Sequence, residues 1–310
     1  MEGFGEGSIL NPKISPLSAL KNLRILITGA SGWLGQETIC LLSNIVEDFE
    51  ASKIVFAASS EKFIKVHDSV IQIHALENLP RDSKFDLILH YAFATQGKRE
   101  ILGAENYLTL NRELTHRVID LVHNNVATKT LVLSSGAAEF VNNNNSISES
   151  KYIYGLLKSE MEEAFSSPNN LSLRVWNTSG HHLGNDPRYA ISEFIARALT
   201  NKNIEIQSNL KRSYVDSQSM IYSALSYLMD NGYGIVNSGG IETNLMDLAD
   251  EVISCLNSKS GCLLMNTESH SSLDYVSPAS DIPAKYWPKE VGLTDQILNT
   301  AEGTHINQNF

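Results

Sequence analysis

Leu23-Arg-Ile-Leu-Ile-Thr28-Gly29-Ala-Ser-Gly32-Trp-Leu-Gly35 is the stretch on which the fold of this chain turns. Leu23–Thr28 is a short apolar run rich in Ile, which reads as a strand covered on both faces. A glycine-rich turn follows at once, and a helical pattern then runs near Gly35–Phe49. Gly29 permits the tight turn, Gly32 lets a pyrophosphate approach the backbone, and Gly35 allows close helix packing. The helix start would face those phosphates with unpaired N–H groups and a favourable dipole. The spacing Gly-x-x-Gly-x-x-Gly differs from the commoner dinucleotide fingerprint, whose first gap is two.

The same rhythm continues outward. Candidate buried strands at Lys53–Ala58, Val70–Ile73, Leu87–Tyr91, Thr130–Ser134 and Leu171–Val175 alternate with amphipathic segments near 104–124 and 152–165. That alternation predicts an α/β fold, a Rossmann doubly wound parallel sheet. After about residue 176 shorter strand-like pieces (Ile204–Gln207, Arg212–Val215, Gly234–Asn237) mix with helices near 191–201, 218–231 and 245–257. The expected organisation is a loose arm over 1–21, a dinucleotide-binding domain over 22–176, and a smaller substrate-binding α/β cap over 177–310. The last boundary is soft, because cap strands can return to the main sheet. The asparagine run Asn142–Ser146 reads as a loop.

A chain of 310 residues, 42% hydrophobic and 19% charged, can build such a core. Its 24 basic and 35 acidic residues give a net charge of −11, which opposes non-specific nucleic-acid binding. An anionic small substrate is still allowed, because a few placed arginines can hold a phosphate. There is no run of about 18 apolar residues, so no membrane-spanning helix is expected. The first residues lack the basic start and apolar centre of a signal peptide. Cys40, Cys255 and Cys262 have no metal-type spacing, and an odd number suits a reducing compartment. The expectation is a cytoplasmic protein without a metal.

Tyr154 and Lys158 fall four residues apart in a helical stretch and so share a face. A lysine beside a tyrosine favours the phenolate and lowers its pKa, which suits proton transfer. At the end of the second strand, an acid would bind the adenosine ribose of NAD and repel a 2′-phosphate. Ala57, Ala58, Ser59 and Ser60 stand there, with Lys62 just beyond. Hydroxyls and a cation favour NADP over NAD, whereas Glu61 can point either way.

The motifs, taken in order, resemble those of the extended short-chain dehydrogenase/reductases, the NAD(P)-dependent nucleotide-sugar epimerase/dehydratase family. Thr28–Gly35 resembles its cofactor turn, His90-Tyr-Ala-Phe-Ala94 its fourth-strand element, and Asn111 the asparagine of the next helix. Leu131-Val-Leu-Ser-Ser-Gly136 resembles the strand ending in the catalytic Ser or Thr, and Tyr154-Gly-Leu-Leu-Lys158 the YxxxK signature. Arg174–Gly180, Arg212–Asp216, Asn237–Gly240 with Leu248-Ala249, and Trp287-Pro288 have counterparts too, so the resemblance spans about residues 22–303.

The resemblance implies that Ser135 hydrogen-bonds the reacting oxygen, Tyr154 exchanges its proton, and Lys158 holds the nicotinamide ribose. Ser134 stays an alternative to Ser135, because this segment is one residue longer than usual. Gly29, Ser31, Gly32, Trp33, Leu34, Gly35 and Ala92 would bind the cofactor, with Ser59, Ser60 and Lys62 at its adenosine end. Asn177 and Arg212 would hold the substrate's nucleotide diphosphate, with Arg188 as a further candidate. His182 resembles a histidine that serves as an acid in keto-sugar epimerase/reductases. Sugar dehydratases follow the catalytic Thr with an Asp-Glu pair; Gly136-Ala137-Ala138 lacks it, and Glu139 comes too late. The expected activity is reduction of a nucleotide-linked keto-sugar at C4 by NADPH. An NAD-dependent 4-epimerase is the alternative in the family, and a non-catalytic NADP-binding regulator the alternative outside it. Family analogy also suggests a homodimer formed through the Asn111 and Tyr154 helices.

Overall fold

The computed structural model describes residues 16–46, 49, 53–66, 69–142, 148–184, 186–265 and 274–306. Seven strands come first: β1 (Ile25–Thr28), β2 (Ile54–Ala58), β3 (Lys62–Val66), β4 (Ser69–Ala75), β5 (Leu87–His90), β6 (Lys129–Ser135) and β7 (Asn170–Val175). They are followed by β8 (Thr178–Ser179), β9 (Ile204–Ile206), β10 (Lys211–Asp216), β11 (Gly234–Asn237), β12 (Ile241–Asn244) and β13 (Cys262–Leu264). The earlier helices are α1 (Trp33–Ile45), α2 (Gln96–Leu102), α3 (Ala104–His123), α4 (Ala137–Asn142) and α5 (Glu149–Ala164). The later ones are α6 (Ala190–Leu199), α7 (Ser217–Met229), α8 (Leu245–Cys255) and α9 (Leu293–Ile306).

The main sheet has the order β11-β7-β6-β5-β1-β2-β4-β3. All neighbours in it are parallel except β3 and β4, which form an antiparallel pair. β1 shows why the strands are apolar throughout. Ile25 and Ile27 pack into the layer of α1 and α7, while Leu26 packs with Val118, Leu121 and Met161 of α3 and α5. Strand order reverses between β1 and β5, and ligands of such sheets bind in the crevice at that switch. The loops that leave β1 and β5 meet there.

The cap is built from α6, α8 and α9 around Ile195, Leu248, Val252 and Ile297. Of two small sheets, β13-β9 packs against α6 and α8 within the cap, and β12-β10-β8 links the cap to α7 of the main layer. β11 leaves the cap and extends the main sheet by pairing in parallel with β7. α7 likewise belongs to the main layer, through Met220, Ile221, Leu225 and Leu228.

Residues 1–15 of the expected arm lie outside the described residues. Its remainder is not loose: Pro16–Asn22 is a 3₁₀ helix whose Leu17 and Leu20 are fully buried in the same layer as α7. Of the asparagine run, 143–146 also lies outside the described residues. Several elements escaped the sequence pattern: the exposed hairpin strand β3, the short strands β8, β12 and β13, the one-to-two-turn α2, the six-residue α4, and α9.

Candidate active site

Conformation and packing explain the glycine turn. Gly29 has φ of 69°, and a Cβ on it would lie 2.7 Å from the backbone of Tyr91 and Ala92 in the loop after β5. A Cβ at Gly35 would stand 2.5 Å from the Gly29 carbonyl oxygen, so α1 packs directly on the turn. Gly32 differs: a Cβ there would meet only the Gly29 oxygen, at 3.2 Å, and otherwise open space. Gly32 caps α1 without a side-chain acceptor, which leaves the first helical N–H groups for a ligand. The open cradle, the bare helix start and a cavity of about 510 Å³ beside them fit a dinucleotide pyrophosphate.

Gly29, Gly32, Trp33, Leu34 and Gly35 line this cavity. Ser31 and Ala92 do not, although Ala92 buttresses Gly29 and donates its N–H to Thr28 Oγ1 at 3.2 Å. Asn111, buried in α3, accepts the N–H of Ala94 at 2.8 Å and so fixes the loop that carries Phe93. Ser59, Ser60 and Lys62 are exposed at the end of β2 and the start of β3, outside this cavity. The Glu61 carboxylate accepts a hydrogen bond from Asn78 Nδ2 at 3.2 Å.

Ser135, Tyr154 and Lys158 come together on the opposite wall. Gly155 makes this possible. A Cβ there would lie 2.4 Å from the Ala137 carbonyl oxygen, so only glycine lets α5 approach α4 and the end of β6 so closely. Lys158 Nζ donates to Leu133 O at 2.7 Å and lies 3.8 Å from the centre of the Phe93 ring, a cation–π contact. Phe93 also meets Tyr154 edge-on, with ring centroids 5.5 Å apart.

The electrostatics depart from the expected Tyr–Lys pairing. Tyr154 is pushed up to about 12, because burial outweighs a hydrogen bond from Ser135 that favours the anion. Lys158 is pushed down to about 7 by burial, against the opposing pull of Glu162. Burial therefore keeps the phenol protonated and weakens the ammonium.

The two serines separate cleanly. Ser134 Oγ donates to Glu162 Oε1 at 2.5 Å, and Glu162 also holds Arg174 by two bonds of 2.8 and 2.9 Å. Ser135 Oγ instead lies 2.9 Å from the hydroxyl of Tyr275 and accepts Ala137 N–H at 3.3 Å. Gly136 abuts Trp176, whose ring atoms would stand 2.4–2.6 Å from a Cβ at that position. Glu139 faces Arg174 at 3.4 Å.

A second cavity, of about 240 Å³, adjoins the first and is lined by Ala137, Phe140, Lys151, Tyr154, Arg212, Asp274 and Tyr275. Tyr154 lines both cavities. Arg212 reaches the second and Asn177 the first. The Asn177 amide donates to the backbone oxygens of Ser213 and Tyr275, at 3.2 and 3.4 Å. Arg188 lines the first cavity while gripping Asp186, with Nε–Oδ1 at 2.8 Å.

His182 does not join these groups. Its N–H donates to Glu37 Oε1 at 2.8 Å, and its ring lies 3.3 Å from the same carboxylate and 3.7 Å from Cys40 Sγ. Glu37 is fully buried on α1, and its other oxygen accepts Gln218 Nε2 at 2.9 Å. This clamp holds the 180–183 turn against α1, so His182 lines neither cavity. Here the histidine tethers the turn to α1.

Sequence reasoning missed Phe93, Lys151, Trp176 and Tyr275. Phe93 sits inside the quoted fourth-strand element and Trp176 inside the quoted stretch Arg174–Gly180, so their positions carried a signal. Tyr275 had none, because only tertiary pairing with Arg212 brings it to Ser135.

A parallel sheet with a glycine turn at its switch point, and a Ser–Tyr–Lys group facing that turn, defines a dinucleotide-dependent enzyme of the Rossmann type. The profile of the NAD dependent epimerase/dehydratase family matches residues 25–231, and the chain belongs to that family. Among curated proteins, the dTDP-glucose 4,6-dehydratase of Haemophilus influenzae is 24% identical over 113 residues. That match spans only 33% of this chain and 33% of the relative. Among solved structures, UDP-N-acetylglucosamine 4-epimerase from Methanobrevibacter ruminantium M1, in complex with UDP-N-acetylmuramic acid, has a TM-score of 0.72 at 17% identity. It covers 92% of this chain and 99% of its own. WbmF from Bordetella bronchiseptica, in complex with NADH, has a TM-score of 0.68 at 17% identity and covers 94% of each chain. At these identities the likeness to the solved structures is one of fold. Among the described residues, no helix is long and apolar enough to cross a membrane.

Proposed function

We propose that the chain is an NAD(P)-dependent oxidoreductase acting at C4 of a nucleotide-linked keto-sugar, with reduction by NADPH as the net reaction. The observation that carries this reading is the position of Tyr154, which lines both the cavity at the glycine turn and the cavity that holds Arg212. A reduced nicotinamide would supply the hydride for the carbonyl carbon. Tyr154 gives its proton to the carbonyl oxygen, Ser135 donates a hydrogen bond to that oxygen, and Lys158 holds the nicotinamide ribose. A phenol pushed up to about 12 stays protonated at neutral pH, which suits the reductive direction. Asn177 and Arg212 would take the diphosphate, with Lys151 as a second cation in the Arg212 cavity.

Two features favour this reading over dehydration. Trp176 fills the space where an acid at position 136 would stand, and Glu139 is engaged with Arg174. NADP is preferred because the end of β2 offers Ser59, Ser60 and Lys62, while Glu61 is drawn to Asn78. The second reading is 4-epimerisation with a retained NAD. It gains from the His182 clamp, which keeps out of both cavities the histidine whose resemblance pointed to reduction. We include in the proposal a cytoplasmic homodimer sharing α3 and α5, for which sedimentation velocity should give twice the monomer mass.

A thermal-shift panel tests the reading, using UDP-, GDP-, CDP- and dTDP-sugars with NAD or NADP. One nucleotide sugar should raise Tm, and NADPH should raise it more than NADH, since ligands stabilise the state they bind. No response to any nucleoside diphosphate would contradict the substrate class. Tightly co-purifying NAD, with turnover lacking added cofactor, would decide for the epimerase.

A further inference from the structure

We propose that Tyr275 is a positioning residue for the hydride-transfer reaction: its hydroxyl donates to Ser135 and so frees the serine's own proton for the reacting oxygen. The inference rests on the oxidoreductase reading above and extends it to a residue outside the Ser–Tyr–Lys set.

Tyr275 is fixed on three sides. Its backbone bridges to Arg212 at the edge of β10, with Tyr275 N–H donating to Lys211 O at 2.9 Å. Its carbonyl accepts from Ser213 N–H and from the Asn177 amide, each at 3.4 Å. Its ring stacks on Phe140, with centroids 5.6 Å apart at 23°, and leans on Trp176 at 4.7 Å. Trp176 is itself held by Asn237 Oδ1, which accepts its indole N–H at 3.0 Å. The hydroxyl is thereby delivered 2.9 Å from Ser135 Oγ.

The direction of that bond decides where the serine's proton points, and we take Tyr275 as the donor. A serine hydroxyl has one proton and two lone pairs. Ala137 N–H points at one lone pair, at 3.3 Å. If Tyr275 O–H takes the other, the only remaining direction for the serine proton is the cavity that Tyr154 lines. If Ser135 donated to Tyr275 instead, its proton would turn away from substrate. Burial and the neighbouring Tyr154 push the Tyr275 phenol up, so it keeps its proton to donate. Arrival of a carbonyl oxygen then polarises the row from Tyr275 through Ser135 to substrate, and such rows strengthen cooperatively.

Tyr275→Phe keeps both ring contacts and removes only the hydroxyl. With the nucleotide sugar that wild type turns over in the panel, kcat should fall about tenfold, the worth of one hydrogen bond, while KM stays within about twofold. The double variant Ser135→Ala/Tyr275→Phe should be no slower than Ser135→Ala alone, because Tyr275 acts through the serine. A packing role would instead change KM or Tm, and its losses would add. The contact itself can be read without turnover, by 3-fluorotyrosine at position 275. Its ¹⁹F resonance should move in Ser135→Ala and stay in Ser134→Ala, whose serine is bound to Glu162. Unchanged kcat in Tyr275→Phe, additive losses, or a resonance that ignores Ser135→Ala each overturn the inference. Lack of turnover by wild type would count against the substrate class, whereas the fluorine result would still decide the contact.

Discussion

At the residue scale, desolvation decides the charge state of the Tyr154–Lys158 pair. Lys158 is 5% exposed and its folded pKa is about 7, against 10.5 for the free side chain. Between those values the unfolded chain binds more protons, so stability rises with pH there and the penalty is complete below the folded pKa. From about pH 7 to 8.5, wild type should gain up to about 1 kcal/mol per pH unit from this group. Urea unfolding of Lys158→Met over the same range should lack that gain; an equal slope in both proteins would place the cause elsewhere. The glycines make a second test. Gly29→Ala puts a Cβ at φ of 69° against the Tyr91 and Ala92 backbone, and should destabilise by roughly 2 kcal/mol or more. Gly32→Ala meets almost nothing, so its Tm should hold while dinucleotide affinity, measured by calorimetry, falls.

At the element scale, β6, α5 and β7 are tied by one buried polar group, Glu162, which is 3% exposed and holds both Ser134 and Arg174. Glu162→Ala leaves the Arg174 guanidinium with only the longer Glu139 contact and should destabilise by about 3 kcal/mol. Ser134→Ala removes one hydrogen bond and should cost about 1 kcal/mol in the same urea titration. Such ties explain which elements could be read in advance. β1, β5 and β6 were legible because they are apolar on both faces, and glycine or serine ends β1 and β6. β3 was hidden because Phe63 and both its lysines are exposed, so Lys62-Phe-Ile-Lys-Val has no buried run. Tyr154 and Ser135 were legible as local motifs. The contacts of His182 were not legible, because spacing cannot tell which side of α1 a turn will meet, and buried Glu37 makes that choice. Tyr275 stands 140 residues from the serine it touches, so no local pattern could announce it.

At the scale of the whole molecule, the two halves of the chain share one layer. Leu17, Leu20, Met220, Ile221, Leu225, Leu228 and Val236 pack with Ile25 and Ile27. A fragment of residues 22–176 loses all seven partners, and it should show no cooperative thermal transition by circular dichroism; a sharp transition would show that the first half folds unaided. The interleaving also brings Arg212, from a later strand, to the cavity that Tyr154 lines. The central claim is that Tyr154 carries the proton at that junction. It is tested most directly by single-turnover oxidation of NADPH, or of NADH if the panel selects it. The reaction uses the 4-keto form of the nucleotide sugar that binds, with wild type and Tyr154→Phe compared. The account predicts equal sugar and cofactor affinity, with hydride transfer slower by about 10²-fold or more in the variant. Equal rates in the two proteins would contradict it.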